Sequence, residues 1–227
     1  MPTDQRLNKL KRVAEARQAG FTVVIEDIFD PHNLGAISRS CDAFGIQQIN
    51  IIFETQPEFE PKEVGKNSST ATNKWLDYRI HHSTKAALRT LKHEGWQLVA
   101  AAIDPAAESI FEADLCASKI ALLFGNEKTG LSREALKLAD RQVMIPMRGI
   151  AQSMNVSVSV ALCIYEVTRQ RMERCPQYLS VAPEQAAKTL DYFLDMHEHL
   201  GSRNKKRRVE RAKKRRSNCA NPDMWGD

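Results

Sequence analysis

The sequence predicts an α/β fold: a mainly parallel sheet flanked by helices. Two observations predict it. Short runs of branched apolar residues alternate with longer segments of helical periodicity along most of the chain, as repeated strand–helix units require. Glycines and polar side chains collect where those apolar runs end, which is where open parallel sheets carry their ligand loops. The 227 residues, 42% of them hydrophobic, suffice for one such domain with short appendages.

The elements follow in chain order. Met1 to Gly20 reads as a helix, with Leu7, Leu10, Val13 and Ala14 at helical spacing and Gly20 as its C-cap. Its basic residues, Lys9, Lys11, Arg12 and Arg17, leave two roles open: contact with a polyanion, or an amphipathic helix packed on the body. Phe21 to Ile28 is a strand, Asp30-Pro31-His32-Asn33 a turn, and a helix runs on to about Phe44, capped by Asn33 or a neighbour. Ile49 to Phe53 is a second strand, and the polar stretch from Glu54 to Thr72 a loop. Ser83 to Glu94 is a helix, Gln97 to Ile103 a strand, and Lys119 to Phe124 a buried strand leading into the Gly125–Gly130 loop. Ser132 caps a short helix to Ala139, and Gln142 to Met147 is the last strand. Val156-Ser157-Val158-Ser159-Val160 alternates like a strand, but Val156, Val160, Ile164 and Val167 also fit a helix, and the length of the run favours a helix to Met172. Ala182 to Leu200 is a further amphipathic helix, with Leu190, Phe193, Leu194 and His197 on one side.

Charge is unevenly placed. Arg203 to Arg216 holds ten Lys or Arg against one acid, Glu210, so this segment carries +9 and the remaining chain −4 of the net +5. A mildly acidic body with a concentrated basic tail reads as a tethered polyanion-binding arm, with a solvated tail or a localisation signal as the alternatives. No apolar run approaches the roughly 18 residues of a membrane span, so no membrane association is expected. The first ten residues are polar, without a signal-peptide core. Five cysteines, an odd number without a Cys-x-x-Cys pair, argue against a disulfide framework and a zinc site, and fit a reducing cytoplasm.

Several site chemistries are disfavoured. Gly125 and Gly130 have P-loop spacing, but Leu131-Ser132 stands where the phosphate-binding lysine and the magnesium-binding hydroxyl belong. No Gly-x-Gly-x-x-Gly follows a strand, which speaks against a dinucleotide site. His81-His82 and His197-x-His199 read as surface residues and not as metal ligands. Nothing resembles a Ser/His/Asp triad.

Three blocks remain: Asn33-Leu34-Gly35-Ala36-Ile37-Ser38-Arg39, Leu123-Phe124-Gly125-Asn126-Glu127-Lys128-Thr129-Gly130, and Ile145-Pro146-Met147 running on to Ser153-Met154-Asn155-Val156-Ser157. In this order they resemble the three motifs of the SpoU-TrmH branch of the SPOUT RNA methyltransferases, over roughly Phe21 to Arg171. The resemblance implies S-adenosylmethionine as methyl donor, a ribose 2′-hydroxyl of RNA as acceptor, a homodimer, and a C-terminal deep trefoil knot built from about Lys119 to Arg171. It implies a domain plan of a basic N-terminal helix (1–20), a methyltransferase domain (21–172) and a C-terminal helix with basic tail (173–227). Carried over by motif position, the adenosyl pocket involves Ala101, Gly125, Ile145 and Met154, with backbone groups at Ile145 and Met154 reading the adenine edge.

The catalytic set implied is Arg39, Asn33, Glu127, Asn155 and Ser153. The family's matching arginine is assigned to activate the hydroxyl with help from an RNA phosphate. A guanidinium with a pKa above about 12 is a poor base, so Arg39 equally suits clamping the phosphate and the developing alkoxide. Asn33 and Asn155 orient ligand or loop, or cap helices. Glu127 either fixes Arg39 or maintains its own loop, Ser153 adds a hydrogen bond near the acceptor, and Lys128 is at most a phosphate contact. The short basic N-terminal helix and the run Phe21 to Asn33 look like the tRNA members of the branch, which methylate the ribose of D-loop guanosine 18. A ribosomal-RNA methyltransferase and a non-catalytic RNA-binding module of the same fold are the alternatives.

Overall fold

The computed structural model describes residues 2–64 and 72–199. The elements are α1 (Asp4–Glu15), β1 (Phe21–Glu26), α2 (Pro31–Ala43), β2 (Gln48–Ile52), β3 (Asp77–His81), α3 (Thr84–His93), β4 (Gln97–Ala101), β5 (Glu108–Ser109), β6 (Ile120–Phe124), α4 (Arg133–Leu138), β7 (Arg141–Met144), α5 (Val156–Arg174) and α6 (183–199). The seven strands form one parallel sheet in the order β3-β2-β1-β6-β4-β7-β5.

Alternation along β1 explains the layers. Val23 and Ile25 face a core shared with Leu34, Ile37 and Cys41 of α2 and with Val160, Ile164 and Val167 of α5. Val24 faces the opposite core with Leu88 and Leu91 of α3 and Ala135 of α4. Successive strand residues point to opposite sides, so a strand apolar throughout must be covered on both, and β1 is buried along its whole length. The helices are therefore on both faces, as expected. Burial on α5 settles the Val-Ser repeat as helix, for Val160, Cys163, Ile164 and Val167 form its inward stripe.

The N-terminal helix packs on the body. Leu10 and Ala14 join Phe193 of α6 in a third apolar cluster. Arg17, read as part of the basic face, is instead buried, ion-paired with Asp42 at 2.7 Å and set over the Phe193 ring at 5.5 Å. Gly20 is not the C-cap of α1, which is Ala16. It has φ +57, and a Cβ there would sit 1.9 Å from the carbonyl oxygen of Ser118. Glycine serves this close approach of two strand entries.

Three further expectations are corrected. The sequence showed no strand at β3 or β5. β3 is an edge strand with only Tyr78 and Ile80 against the core, and β5 has two residues, too few for a periodic signal. Cys116 and Cys175 are joined by a disulfide, with Cα atoms 6.4 Å apart. Spacing 59 residues apart hid the convergence of the loop before β6 with the end of α5. His81 is half-buried on β3, its Nε2 3.0 Å from Asn50 Oδ1, and burial holds its pKa below the usual value. The basic tail, Arg203 to Arg216, lies outside the described residues, as does 65–71 of the long polar loop.

Candidate active site

Four adjacent strands, β1-β6-β4-β7, bring the three motif blocks to one edge of the sheet. Because they are parallel, their C-terminal ends lie together, and Asp27 onward, Gly125, Ala102 and Ile145 follow those ends directly. The first two connections run outward through β2 and β3, and the later ones populate the other side of β1. A ligand crevice forms at such a reversal.

Asp30 caps α2, its carboxylate accepting from the His32 N–H at 2.8 Å, with Pro31 at the first helical position. Asn33 is thus freed from the capping role allowed to it. Its side-chain amide donates to Glu127 Oε1 at 2.8 Å, while its Oδ1 accepts from Asn155 Nδ2 at 3.0 Å. Asn155 is itself the N-cap of α5, its Oδ1 accepting from the Ser157 N–H at 2.8 Å and the Ser157 hydroxyl at 2.6 Å. One hydrogen-bond chain therefore joins all three motifs. Glu127 ties its own loop to the turn before α2: its carboxylate also accepts from the backbone N–H of Phe29 at 2.9 Å and of Asp30 at 3.2 Å. Burial alone would raise its pKa, but the Asn33 amide and the Phe29 and Asp30 N–H groups together hold it below the usual carboxylate range.

Arg39 lies six residues beyond Asn33 on α2, about 9 Å along the helix axis, and its side chain is exposed. Ser153 is exposed on the loop leading to Asn155. Ala101, Gly125 and Ile145, at the ends of β4, β6 and β7, are half-buried, as is Met154. A Cβ on Gly125 would stand 2.1 Å from the Gly130 carbonyl carbon and the Leu131 nitrogen, so only glycine lets this loop fold back on itself. Small and apolar side chains on loops suit a largely main-chain hold on an adenosyl group. The apolar cleft of about 500 Å³ between α1 and α6, by contrast, is lined by none of these residues.

Sequence reasoning missed three supports. Asp27 follows β1 with φ +51, a left-handed conformation that Asp tolerates better than most residues. Its carboxylate accepts from the N–H groups of Glu54, Thr55 and Gln56 and from the Thr55 hydroxyl. Burial raises the Asp27 pKa less than these Thr55, Gln56 and Glu54 bonds lower it. Asn126 donates to the Asp27 carbonyl at 2.7 Å and accepts from the N–H groups of Lys128 and Thr129, turning the second motif loop. Phe29 is an exposed aromatic with the Lys128 ammonium 4.3 Å from its ring centroid. An Asp directly after an apolar strand, and an Asn one residue further on after a glycine, were the readable signals for the first two.

A parallel sheet with three conjoined motif loops at its carboxyl edge defines a methyltransferase of the SpoU class. The chain belongs to this family: the model of the SpoU rRNA Methylase family matches residues 20–165. It is 38% identical over 173 residues to the tRNA (guanosine(18)-2'-O)-methyltransferase of Thermus thermophilus, covering 75% of this chain and 86% of that protein. To the protein of the same name from Escherichia coli K12 it is 34% identical, covering 79% and 77%. The solved A. aeolicus TrmH/SpoU tRNA modifying enzyme superimposes with a TM-score of 0.75 at 30% identity, over 85% of this chain and 97% of that one. The SpoU methyltransferase AviRb from Streptomyces viridochromogenes, solved in complex with the cofactor AdoMet, gives 0.60 at 28% identity, over 76% and 63%.

Proposed function

We propose that this chain transfers a methyl group from S-adenosylmethionine to the 2′-hydroxyl of guanosine 18 in the D-loop of tRNA, acting as a cytoplasmic homodimer. The observation that carries the reading is the Glu127–Asn33–Asn155 chain, which ties the RNA-side helix α2 to the two loops suited to the adenosyl group. Ala101, Gly125, Ile145 and Met154 would hold that group. Bound there, it supplies a methyl already activated on a sulfonium.

The acceptor is the difficulty, because a ribose hydroxyl must lose a proton while held in line. Arg39 serves as clamp: its guanidinium binds an RNA phosphate and offsets charge developing on the 2′-oxygen. Glu127 is not the base, since a carboxylate held to low pKa by the Asn33 amide and backbone N–H groups takes up protons poorly. It holds the loop before α2 in place. Asn33 and Asn155 orient the two loops, and Ser153 offers a hydroxyl beside them.

The homodimer is supported by α5, where Val158, Leu162, Tyr165 and Met172 are exposed at helical spacing. Such a stripe is what a partner helix covers. The knot is supported by strand order: β7 is inserted between β4 and β5, inside the connection that joins them. In this plan residues 21–172 form the methyltransferase domain, while the exposed Lys9, Lys11 and Arg12 of the N-terminal helix and the basic tail of 173–227 contact RNA phosphates. Among the described residues no helix is long and apolar enough to cross a membrane.

The test is transfer of labelled methyl to separate tRNA and ribosomal-RNA pools, followed by mapping of the modified nucleoside. Label on the ribose of tRNA guanosine 18 is expected. Label on a base, or confined to ribosomal RNA, contradicts the proposal.

A further inference from the structure

We propose that Phe29 and Lys128 form a stacking platform for an unpaired nucleobase next to the methylated ribose. The inference rests on the RNA-methylation reading and adds to it a determinant of substrate choice: one splayed base beside the acceptor.

Phe29 is 54% exposed, whereas its neighbour Ile28 is 1% exposed and belongs to the core. Exposure of one apolar side chain is ordinary by itself. Here the backbone that carries the ring is also anchored. The Phe29 N–H is bound by Glu127 Oε2 at 2.9 Å, and the next residue, Asp30, is fixed as the cap of α2 and by Glu127 Oε1. Lys128 is anchored equally, its N–H donating to Asn126 Oδ1 at 2.8 Å, and its ammonium stands 4.3 Å from the ring centroid. A cation at that distance orients an aromatic ring. Two motif loops thus cooperate to present an aromatic on an anchored backbone to solvent, joined to Asn33 through a single shared carboxylate.

An RNA loop offers what fits. Bases within a duplex are stacked on one another, but unpaired bases can be splayed out and laid on an aromatic side chain. A base placed on Phe29 brings its own phosphate within reach of the Lys128 ammonium, so one pair of residues answers both parts of a nucleotide. Stacking accepts any base, so the platform selects unpaired geometry and not identity.

The experiment compares wild type, Phe29→Ala, Phe29→Trp and Lys128→Ala as full chains. Methyl transfer to transcribed tRNA is measured with either RNA or methyl donor varied. Phe29→Ala should raise KM for tRNA about ten-fold, the loss expected of one stacked base, leave KM for S-adenosylmethionine unchanged, and keep the wild-type melting temperature. Phe29→Trp should restore KM, and its emission should be quenched by tRNA beyond the change seen with the three native tryptophans. Lys128→Ala should raise KM for tRNA less and flatten its salt dependence. An unaltered KM for tRNA in Phe29→Ala, or no added quenching in Phe29→Trp, overturns the platform. Quenching is read without turnover, so the platform is judged even if wild type methylates no RNA, a result that would instead defeat the methylation reading.

Discussion

Helix α5 is fastened at both ends, and the two fastenings differ in kind. At its N-terminus Asn155 joins Asn33 and through it Glu127, in a half-exposed chain of side-chain hydrogen bonds at the carboxyl edge of the sheet. At the other end Arg171 is fully buried and donates to backbone carbonyls of Ala19, Gly20 and Ala117, with the Phe21 and Tyr178 rings at 5.1 and 5.4 Å. Burial pushes the Arg171 pKa down to about 10. The upper fastening uses groups that can also face a ligand. The lower one uses a cation that meets no solvent and closes the strand entries. On the proposed function one helix thus carries a functional end and a structural end, and substitutions should separate them.

On α2, beside the functional end, Arg39→Ala is expected to lower kcat/KM for tRNA by about 10³, the loss typical of removing a donor from developing charge. At the structural end, Arg171→Met should cost about 3 kcal/mol in urea unfolding, because several buried carbonyls lose their donor together. Where the variant remains folded, its kcat should stay within about two-fold of wild type. Glu127→Gln should lower kcat about ten-fold, since charge-assisted bonds to the Phe29 and Asp30 N–H groups become neutral ones, and should shift the melting temperature little.

The smallest effect expected is that of pH. Asp27 and Glu127 both have folded pKa values depressed below their unfolded values. The stability they contribute is therefore present above about pH 4, the unfolded range, and is lost as pH falls through their folded values. Unfolding free energy should show no loss from these two groups between pH 8 and 5. Loss should set in below about pH 4 and be reduced in Glu127→Gln.

The same contrast governs what was legible in the sequence. Strands buried on both faces, such as β1 and β6, announce themselves as apolar runs, and glycine- and asparagine-rich blocks mark the loops after them. Asn155 as a cap and Ser132 as a cap followed from local chemistry alone. What stayed hidden depended on distant parts of the chain meeting. The disulfide between Cys116 and Cys175, the burial of Arg17 and Arg171, and the service of Glu127 to Phe29 and Asp30 are all such meetings. Gly20 misled for a related reason: its conformation is demanded by Ser118, a residue nearly a hundred positions away, and not by the helix it follows. β3 escaped because an edge strand needs only half of its residues apolar.

The central claim is that the three motifs act as one unit through Asn33. Its most direct test is a double-mutant cycle on transfer to tRNA, with Asn33→Ala, Asn155→Ala and the pair. A shared hydrogen-bond chain predicts that the double variant is scarcely slower than the slower single one. Losses that multiply, each variant acting independently of the other, would contradict it.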